Sequence, residues 1–173
     1  YSTYPGGLSL LINTTGYIGF RSVVFAAGGA WVSTTTAITT GAWHHIFVSY
    51  DKSSTLNDPV MYLDGVLQTT SEIITPAGAF ISEANNNVII SGLKNRDTYE
   101  SSFDGKLTDV RVYNGDNITG TVAALASALY AAGSNASGNT DGLVFQAFAV
   151  MGVGRARYDG LTLTEDDKVL DNV

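Results

Sequence analysis

The sequence predicts an all-β fold, an antiparallel sandwich or barrel, and three observations support this prediction. Apolar and polar residues alternate over short runs, which is the period of half-buried strands. Turn-forming Gly, Asn, Asp and Ser residues separate these runs. One alanine-rich segment has helical periodicity instead. Six or more short strands joined by turns are typical of antiparallel all-β domains.

The first two predicted strands form a hairpin. The run from Leu8 to Asn13 alternates and is broken by Thr14-Thr15-Gly16. A second run, Tyr17 to Arg21, follows and leads into Val23-Val24-Phe25. Glycine adopts the positive φ that a tight hairpin turn requires, so the break predicts a turn.

A second hairpin follows from the middle of the chain. Trp43 to Tyr50 is predicted as a strand, as is Val60 to Leu63, after which Asp64-Gly65 supplies a tight turn into Val66-Leu67-Gln68. Further strands are predicted at Val88–Ile90 and Leu107–Tyr113.

The alanine-rich segment from Thr121 to Gly133 is predicted as the helix. Its N-terminus has two possible caps, Thr119 or Thr121, and Gly133 stands where a left-handed residue ends a helix. One helical face carries the larger apolar residues, namely Val122, Leu125, Ala126 and Leu129.

Beyond the helix the sequence predicts one more strand and then a different kind of segment. Strand periodicity resumes after Asp141-Gly142, from Leu143 to Phe148. From Met151 onward the pattern predicts an extended arm or linker. We therefore expect a β-sandwich over residues 1–150 and an arm over residues 151–173.

Composition excludes several classes of function. The chain has 173 residues, a net charge of −7 and no cysteine. Its acidic balance lacks the basic face that nucleic acid requires, and disulfide or thiolate metal sites need cysteine. Apolar runs fall well short of the ~20 residues of a membrane helix. The chain starts at Tyr1 without an initiator Met or a signal peptide, so we expect it to be a piece of a longer or processed polypeptide.

Several segments in chain order carry motifs of a known family. Gly41–Asp51 contains Gly-x-Trp-His-His followed by Tyr-Asp, and Met61–Val66 contains Tyr-x-Asp-Gly. Ile90–Gly92 and Phe103–Asn114 contain a Phe-x-Gly strand that ends in Val-Arg-x-Tyr-Asn. With the helix that ends at Gly133, these motifs resemble the laminin-G-like branch of the concanavalin A-like lectin/glucanase superfamily, over roughly residues 8 to 133.

This resemblance implies an antiparallel two-sheet jelly-roll sandwich with one short α-helix. Family members usually have one or two strands before the segment that matches Leu8, and these are missing here. Because an open sheet edge invites another strand, the run Leu143 to Phe148, an upstream segment or a neighbouring chain must fill the gap. We expect the return strand, Leu143 to Phe148, to do so.

The motif residues also have architectural roles that follow from their positions. Trp43 is expected to cover one end of the core, with its N–H bonded to a backbone carbonyl. Asp109 and Arg111 are two residues apart on one strand face, so they are placed to pair.

Catalytic residues are not expected. Glycosidases of the superfamily use paired carboxylates, whereas the glutamates here, Glu72, Glu83, Glu100 and Glu165, are isolated from one another. The neighbouring His44 and His45 face opposite sides of a strand and lack a third histidine, so we assign them a structural role. No Ser-His-Asp arrangement stands out either. The sequence thus predicts that the protein is not an enzyme.

Ligand and calcium sites are expected in loops. Asn95-Arg96-Asp97-Thr98-Tyr99 combines an aromatic ring, charges and an amide, which suits sugar recognition, and Trp31 offers a second aromatic ring. The competing interpretations are that Tyr99 packs on an edge and that Trp31 belongs to the core. Calcium takes oxygen ligands, and the candidates by residue type are Asn85, Asp97, Asp104 and Asp116. The expected cofactor is either none or Ca²⁺.

The predicted function is a non-catalytic structural and surface-recognition module. Scarce charge, many small residues and an extended arm favour a bacteriophage virion component, as a capsid-decoration or tail-associated protein on the virion surface. Its partners would be other virion chains in an oligomer or larger assembly, and cell-surface glycans. The alternative is a carbohydrate-binding or adhesion module of a secreted bacterial protein, located outside the cell or on its surface. A glycoside hydrolase is the third hypothesis, which the scattered carboxylates disfavour.

Overall fold

The computed structural model describes residues 7–81, 93–95, 98–100, 103, 105–115, 120–133 and 143–147. These residues belong to two compact units. The first unit contains residues 7–81 and 120–132, and the second contains the remaining described residues. Each unit is considered by itself.

The described elements are mostly short strands. In chain order they are β1 (Leu8–Ile12), β2 (Ile18–Ser22), β3 (Phe25–Ala27), β4 (Gly29–Ser33), β5 (Ile46–Ser49), β6 (Val60–Leu63), β7 (Val66–Leu67), β8 (Thr70–Ile74), β9 (Ala77–Phe80), β10 (Leu93–Asn95), β11 (Thr98–Glu100), β12 (Val110–Tyr113), helix α1 (Val122–Ala132) and β13 (Leu143–Ala147). The predicted fold, an all-β antiparallel sandwich with one short helix, is confirmed. Within the described ranges no helix is long and apolar enough to span a bilayer.

Three antiparallel sheets make up the strand content of the first unit. The largest has the strand order β1-β2-β4-β8, the second β5-β6-β7, and the third pairs β3 with β9. The β1–β2 connection is a tight turn in which the Oδ1 atom of Asn13 accepts hydrogen bonds from the backbone N–H groups of Thr15 and Tyr17, at 3.0 and 2.9 Å. Gly16 takes a φ of +85° in that turn, as the sequence predicts.

The core of the first unit lies between two of these sheets. Ile18, Phe20 and Trp31 project from β2 and β4, and they pack against Met61 and Leu63 of β6. Cross-strand partners share one face of a sheet, and Phe20 is paired directly with Trp31. Because side chains alternate along each strand, each of these two sheets has one apolar face, and the two apolar faces pack against each other.

Helix α1 begins and ends as its sequence predicts. The Oγ1 atom of Thr121 accepts a hydrogen bond from the backbone N–H of Ala124 at 3.2 Å, so Thr121 is the N-terminal cap. Gly133 takes a φ of +74° directly after the last helical residue. Of the predicted apolar face, Leu125, Ala126 and Leu129 are buried and Val122 is half-buried.

The second unit contains two antiparallel strand pairs. Strand β10 pairs with β11, and β12 pairs with β13. The predicted strand from Leu143 is thus present, but its partner is β12. The expectation that it fills the edge beside β1 is wrong as far as the described pairing shows, because β2 alone is paired with β1. The predicted recognition segment 95–99 begins in β10 and ends in β11, so it belongs to a hairpin.

Several strands differ from the predicted ones. The strand predicted from Trp43 starts three residues later, at Ile46, because His44 and His45 are held by side-chain hydrogen bonds. The sequence does not predict β4, β8 and β9, since small residues and threonines give weak alternation there. It does not predict β10 and β11 either, because the segment 95–99 is expected to be a loop. The predicted strand at 88–90 and the predicted arm at 151–173 lie outside the described residues.

The packing of Met61 leads to the first testable prediction. Its side chain is fully buried between the two sheets, so Met61→Ala should lower the free energy of unfolding by about 2–5 kcal/mol. Leu56 is 87% exposed, and Leu56→Ala is the matched control, with a change of less than about 0.5 kcal/mol. Urea unfolding followed by circular dichroism measures both. Equal losses in the two variants would contradict the assigned core.

Candidate functional site

Asp64 occupies the hairpin turn between β6 and β7. Asp64 and Gly65 both have positive φ values, +52° and +74°. A two-residue turn with both residues in this region matches the right-handed twist of the flanking strands. Asp tolerates the left-handed conformation better than most residues, and the predicted turn is therefore confirmed at these two positions.

The turn conformation brings the Asp64 carboxylate onto the residues before β5. Its Oδ1 atom accepts a hydrogen bond from the backbone N–H of His45 at 2.8 Å. Its Oδ2 atom lies 2.7 Å from Nδ1 of His44. The backbone N–H of Asp64 in turn donates to the carbonyl of His45 at 2.8 Å. One residue thus joins the start of β5 to the end of β6 through three contacts.

A hydroxyl group extends this network on the far side of the imidazole. Oγ1 of Thr39 lies 2.9 Å from Nε2 of His44. The ionised carboxylate requires a proton on Nδ1 of His44, so in the neutral imidazole Nε2 accepts from the Thr39 hydroxyl. The order of hydroxyl, imidazole and carboxylate is that of a nucleophilic triad. The hydroxyl belongs to a threonine, so the expectation of no Ser-His-Asp arrangement stays a prediction.

The network has a structural role that does not depend on catalysis. The Asp64 carboxylate shares its charge between the His44 ring and the His45 amide, and the Thr39 hydroxyl lies on an exposed loop residue. An acyl-transfer site also needs donors aimed at a developing oxyanion. What the described contacts supply is a rigid connection between the loop at Thr39, the start of β5 and the β6–β7 turn.

Electrostatics favour the charged form of Asp64. Burial raises the pKa of its carboxyl, but the hydrogen bonds from His44 and from the His45 amide, with the positive potential of the two histidines, outweigh burial. The pKa of Asp64 is therefore held below its ordinary value of 3.8.

Two exposed aromatic residues lie beside this network, Trp43 next to it in the sequence and Tyr130 next to it in space. Trp43 immediately precedes His44, and 60% of its surface is exposed. Tyr130 of α1 is exposed as well, and its ring centroid lies 6.0 Å from that of His45. A Cβ atom added at Gly65 would come within 2.9 Å of the Tyr130 ring, so the helix packs directly on the turn. We call Trp43, Asp64 and Tyr130, with Thr39 and His44, the Asp64 surface.

Comparison with family models identifies the superfamily of the chain. A laminin G family model, described as the concanavalin A-like lectin/glucanases superfamily, matches residues 2–121. The chain belongs to this superfamily. Membership supports a carbohydrate-binding or structural module in general terms. Neither the search of curated proteins nor that of solved structures finds a match. The Trp-His-His and Asp-Gly motifs of the superfamily resemblance are the two segments that Asp64 joins.

The two tryptophans lie in contrasting environments. Trp31 is 2% exposed, and its Nε1–H donates to Oδ1 of Asp58 at 2.7 Å. Its ring also lies 5.4 Å from that of Tyr50. The prediction that Trp31 is a ligand-binding surface residue is therefore wrong, and the competing interpretation, that Trp31 belongs to the core, is correct. The physical reason is its register, because Trp31 is the cross-strand partner of the inward-facing Phe20.

Trp43, in contrast, does not cover the core. It precedes the first paired residue of β5, so no ladder turns its ring inward. Sequence reasoning missed Trp43 and Thr39 as members of a surface site. Two sequence signals could have indicated this site, the Trp-His-His run and the Asp-Gly turn. They point to one site only when the pairing of β5 with β6, which brings the two segments together, is known.

The remaining predicted site residues receive no test. Asn95 is the last residue of β10, and Tyr99 is the middle residue of β11. Arg96 and Asp97 fall outside the described residues. The calcium candidates Asn85, Asp97, Asp104 and Asp116 also lie outside them. In the described part of the chain, no group of three or more His, Cys, Asp or Glu residues is arranged to hold a metal ion.

One predicted contact of the second unit is confirmed. Nε and Nη2 of Arg111 donate to the two carboxylate oxygens of Asp109, both at 2.8 Å, and both side chains are largely buried. Burial lowers the pKa of Arg111, but the hydrogen bonds to Asp109 and Tyr113 outweigh it, so the pKa is raised. A pair of this kind is architectural, because a two-pronged guanidinium–carboxylate contact fixes geometry more than it supplies chemistry.

The Asp64 network makes stability depend on pH. Because its pKa is depressed in the folded protein, the Asp64 carboxylate stabilises the fold above the ordinary pKa of 3.8, and this contribution is lost as the pH falls through the folded-state pKa. We expect Asp64→Asn, which preserves a residue suited to the left-handed turn, to lower the free energy of unfolding at pH 7. The difference from wild type should shrink below about pH 4.

Urea titrations at pH 7, 4 and 2.5 measure this difference. Thr39→Val is the control, since it removes a partner of His44 and leaves the carboxylate in place, so it should retain the acid-dependent loss of stability. A difference between wild type and Asp64→Asn that stays constant across the three pH values would contradict the assignment.

Proposed function

We propose that the protein is a non-catalytic structural and surface-recognition module whose surface is covered by neighbouring chains. The observation that carries the proposal is the set of large apolar side chains exposed on strands of the first unit. They include Leu8, Leu10, Val66, Leu67, Ile73, Ile74 and Phe80. Large apolar side chains that a folded domain leaves exposed are candidate interaction sites.

The positions of these side chains favour assembly. Val66 and Leu67 form β7, at one edge of the three-stranded sheet, and Ile73 and Ile74 end β8, at one edge of the four-stranded sheet. Removing apolar surface from water yields about 25 cal/mol per Å², so a neighbour that covers these edges gains binding energy. Only 14% of the residues are charged, which keeps the desolvation cost of such contacts low.

The setting that fits this surface is a bacteriophage virion. As a capsid-decoration or tail-associated protein on the virion surface, the chain would have other virion chains as partners and would sit in a large assembly. A module with few charged residues suits this role because neighbouring chains can cover its exposed apolar side chains. The family resemblance contributes the fold only.

The absence of catalysis is supported by where the acids lie. No described strand carries two acidic residues; β8 has Glu72 and β11 has Glu100. Retaining and inverting glycosidases need two carboxyl groups held across one cleft. A glycoside hydrolase therefore remains the third hypothesis.

A specific observation favours the alternative function, a carbohydrate-binding or adhesion module of a secreted bacterial protein. Trp43 presents an exposed indole directly beside His44, which the Asp64 network holds rigidly. Rigid aromatic rings next to polar groups suit ligands with one apolar face and several hydroxyls, as sugars have. In this case the partners would be cell-surface glycans, with no cofactor or with Ca²⁺.

Two experiments separate these functions. Native purification from the source should recover the chain with a particle if the structural role is correct, and with polysaccharide or as a free protein if the alternative is correct. A glycan array, probed with and without calcium, tests the recognition role directly. If the chain binds glycans through Trp43, Trp43→Ala should reduce binding at least tenfold, while the exposed control Leu56→Ala leaves it unchanged.

The protein's own fluorescence gives an independent readout. The chain has two tryptophans, and Trp31 is shielded in the core, so acrylamide quenching reports mainly Trp43. A bound glycan should protect the indole from the quencher. If no glycan protects it, if array signals are absent with and without calcium, and if no particle is recovered, the structural and recognition roles are both rejected.

A further inference from the structure

The Thr39 hydroxyl has a defined position because the residue before it is fixed to the first unit. The N–H of Ile38 donates to the carbonyl of Gly16 at 2.8 Å, and the Ile38 side chain packs against the hydrophobic core. The two backbones approach closely, since a Cβ atom added at Gly16 would lie 2.9 Å from the Ile38 carbonyl oxygen. Anchoring of this kind places a reactive group before it meets a substrate.

The partner of the Thr39 hydroxyl is not one that an exposed hydroxyl needs. Thr39 is exposed, and water satisfies an exposed hydroxyl almost as well as a protein group does. Its Oγ1 atom nevertheless lies 2.9 Å from Nε2 of His44, and this is its only hydrogen bond among the residues that the structure describes. The contact adds a hydroxyl to a network in which Asp64 already holds the His44 ring.

The imidazole of His44 is placed to take the hydroxyl proton. Its Nδ1 atom carries a proton bonded to the Asp64 carboxylate at 2.7 Å, which leaves the lone pair of Nε2 facing the hydroxyl. Because the pKa of Asp64 lies below its ordinary value of 3.8, the carboxylate is ionised at neutral pH and stabilises the imidazolium that forms when Nε2 gains a proton. The His44 and Asp64 side chains are 17% and 31% exposed, and this partial burial strengthens the attraction between them.

The loop that follows Thr39 leaves room for a reagent. Residues 40–43 are all exposed. Gly41 takes a φ of +85°, and a Cβ atom added there would meet no atom within 4 Å. The hydroxyl is therefore open to solvent, while the base beside it and the carboxylate behind the base are shielded. A hydroxyl bonded to a base that a third group orients is an activated nucleophile.

We propose that Thr39 is a nucleophile that accepts an acyl group from an activated ester. Its Oγ1 atom attacks the ester carbonyl, and its proton moves to Nε2 of His44. The bond between the acyl carbon and the leaving oxygen then breaks, the alcohol departs with that proton, and the acyl group remains on Thr39 as a new ester. Asp64 is a positioning residue, since it contacts the base and not the reacting atoms.

The reaction stops after one transfer. Turnover also requires donors that stabilise an oxyanion in both steps, whereas the described contacts supply the nucleophile, the base and the carboxylate that orients the base. The ester formed on Thr39 has a poor leaving group, so water attacks it far more slowly than Thr39 attacks the activated donor. The proposal goes beyond the proposed function, because a single acylation modifies a virion protein or a lectin alike without making it an enzyme.

Peptide mapping by mass spectrometry tests the proposal on the full chain, with p-nitrophenyl acetate as the probe. After a short incubation, wild type should carry an acetyl group on Thr39. Thr39→Ser keeps the hydroxyl and should still be acetylated at this position, whereas Thr39→Val should not. Thr40→Val is the matched control, because Thr40 is an exposed neighbour outside the network, and its Thr39 should react as in wild type.

The rate of acetylation at position 39 tests the roles of the other two residues. A general base contributes about 10²–10⁴-fold, so His44→Ala should slow the reaction about 10²-fold or more. Asp64→Asn should slow it as well, because an amide that donates to Nδ1 leaves the imidazole proton on Nε2. Circular dichroism of each variant confirms that it folds.

Three results would overturn the proposal: no acetyl group on Thr39 of wild type, acetylation of Thr40 as fast as that of Thr39, or an unchanged rate in folded His44→Ala. The Thr39 and Thr40 variants decide the question even if the His44 variant does not fold, because both residues lie on an exposed loop. Recovery with a particle or with glycan is measured separately, so the proposed function and the acylation of Thr39 can fail independently.

Discussion

The hydrogen bonds of Asp64 are the constraint on which the second sheet depends. In an ordinary antiparallel pair, the residues at positions 45 and 64 would exchange two backbone hydrogen bonds. Here the Asp64 N–H donates to the His45 carbonyl, but the His45 N–H donates to the Asp64 carboxylate. The side-chain carboxylate thus takes the acceptor place that the Asp64 carbonyl holds in a regular ladder. The alignment of β5 with β6 is thereby fixed at the point where the hairpin turns.

That alignment decides which side chains reach the core. With Ile46 opposite Leu63 and Val48 opposite Met61, these residues converge on the buried cluster around Phe20 and Trp31. A slip of one residue would turn every one of them to the other face. The Trp31 indole adds a second fixed point, because its N–H reaches Asp58 just before β6 begins. A buried indole without that partner would leave an unsatisfied donor, at about 1–3 kcal/mol.

The features that sequence predicts well are those set by neighbouring residues. The Asp64-Gly65 turn, the Thr121 cap and Gly133 at the helix end each depend on a backbone conformation that a few adjacent residues determine. The two tryptophans show the limit. Their burial follows from strand pairing between distant segments, so Trp31 enters the core through its alignment with Phe20, while Trp43 stays outside a ladder that starts at Ile46. The Thr39–His44–Asp64 network joins three segments and has no local signature.

The scarcity of charge acquires a more specific meaning from the two edges of the four-stranded sheet. If the low charge only reflected a turn-rich composition, both edge strands of the sheet would lack charged residues. Instead, Glu72 and a bulge lie on β8, whereas β1 is uncharged and continuous. The scarcity of charge is therefore concentrated at one edge of this sheet and does not follow from the overall composition alone.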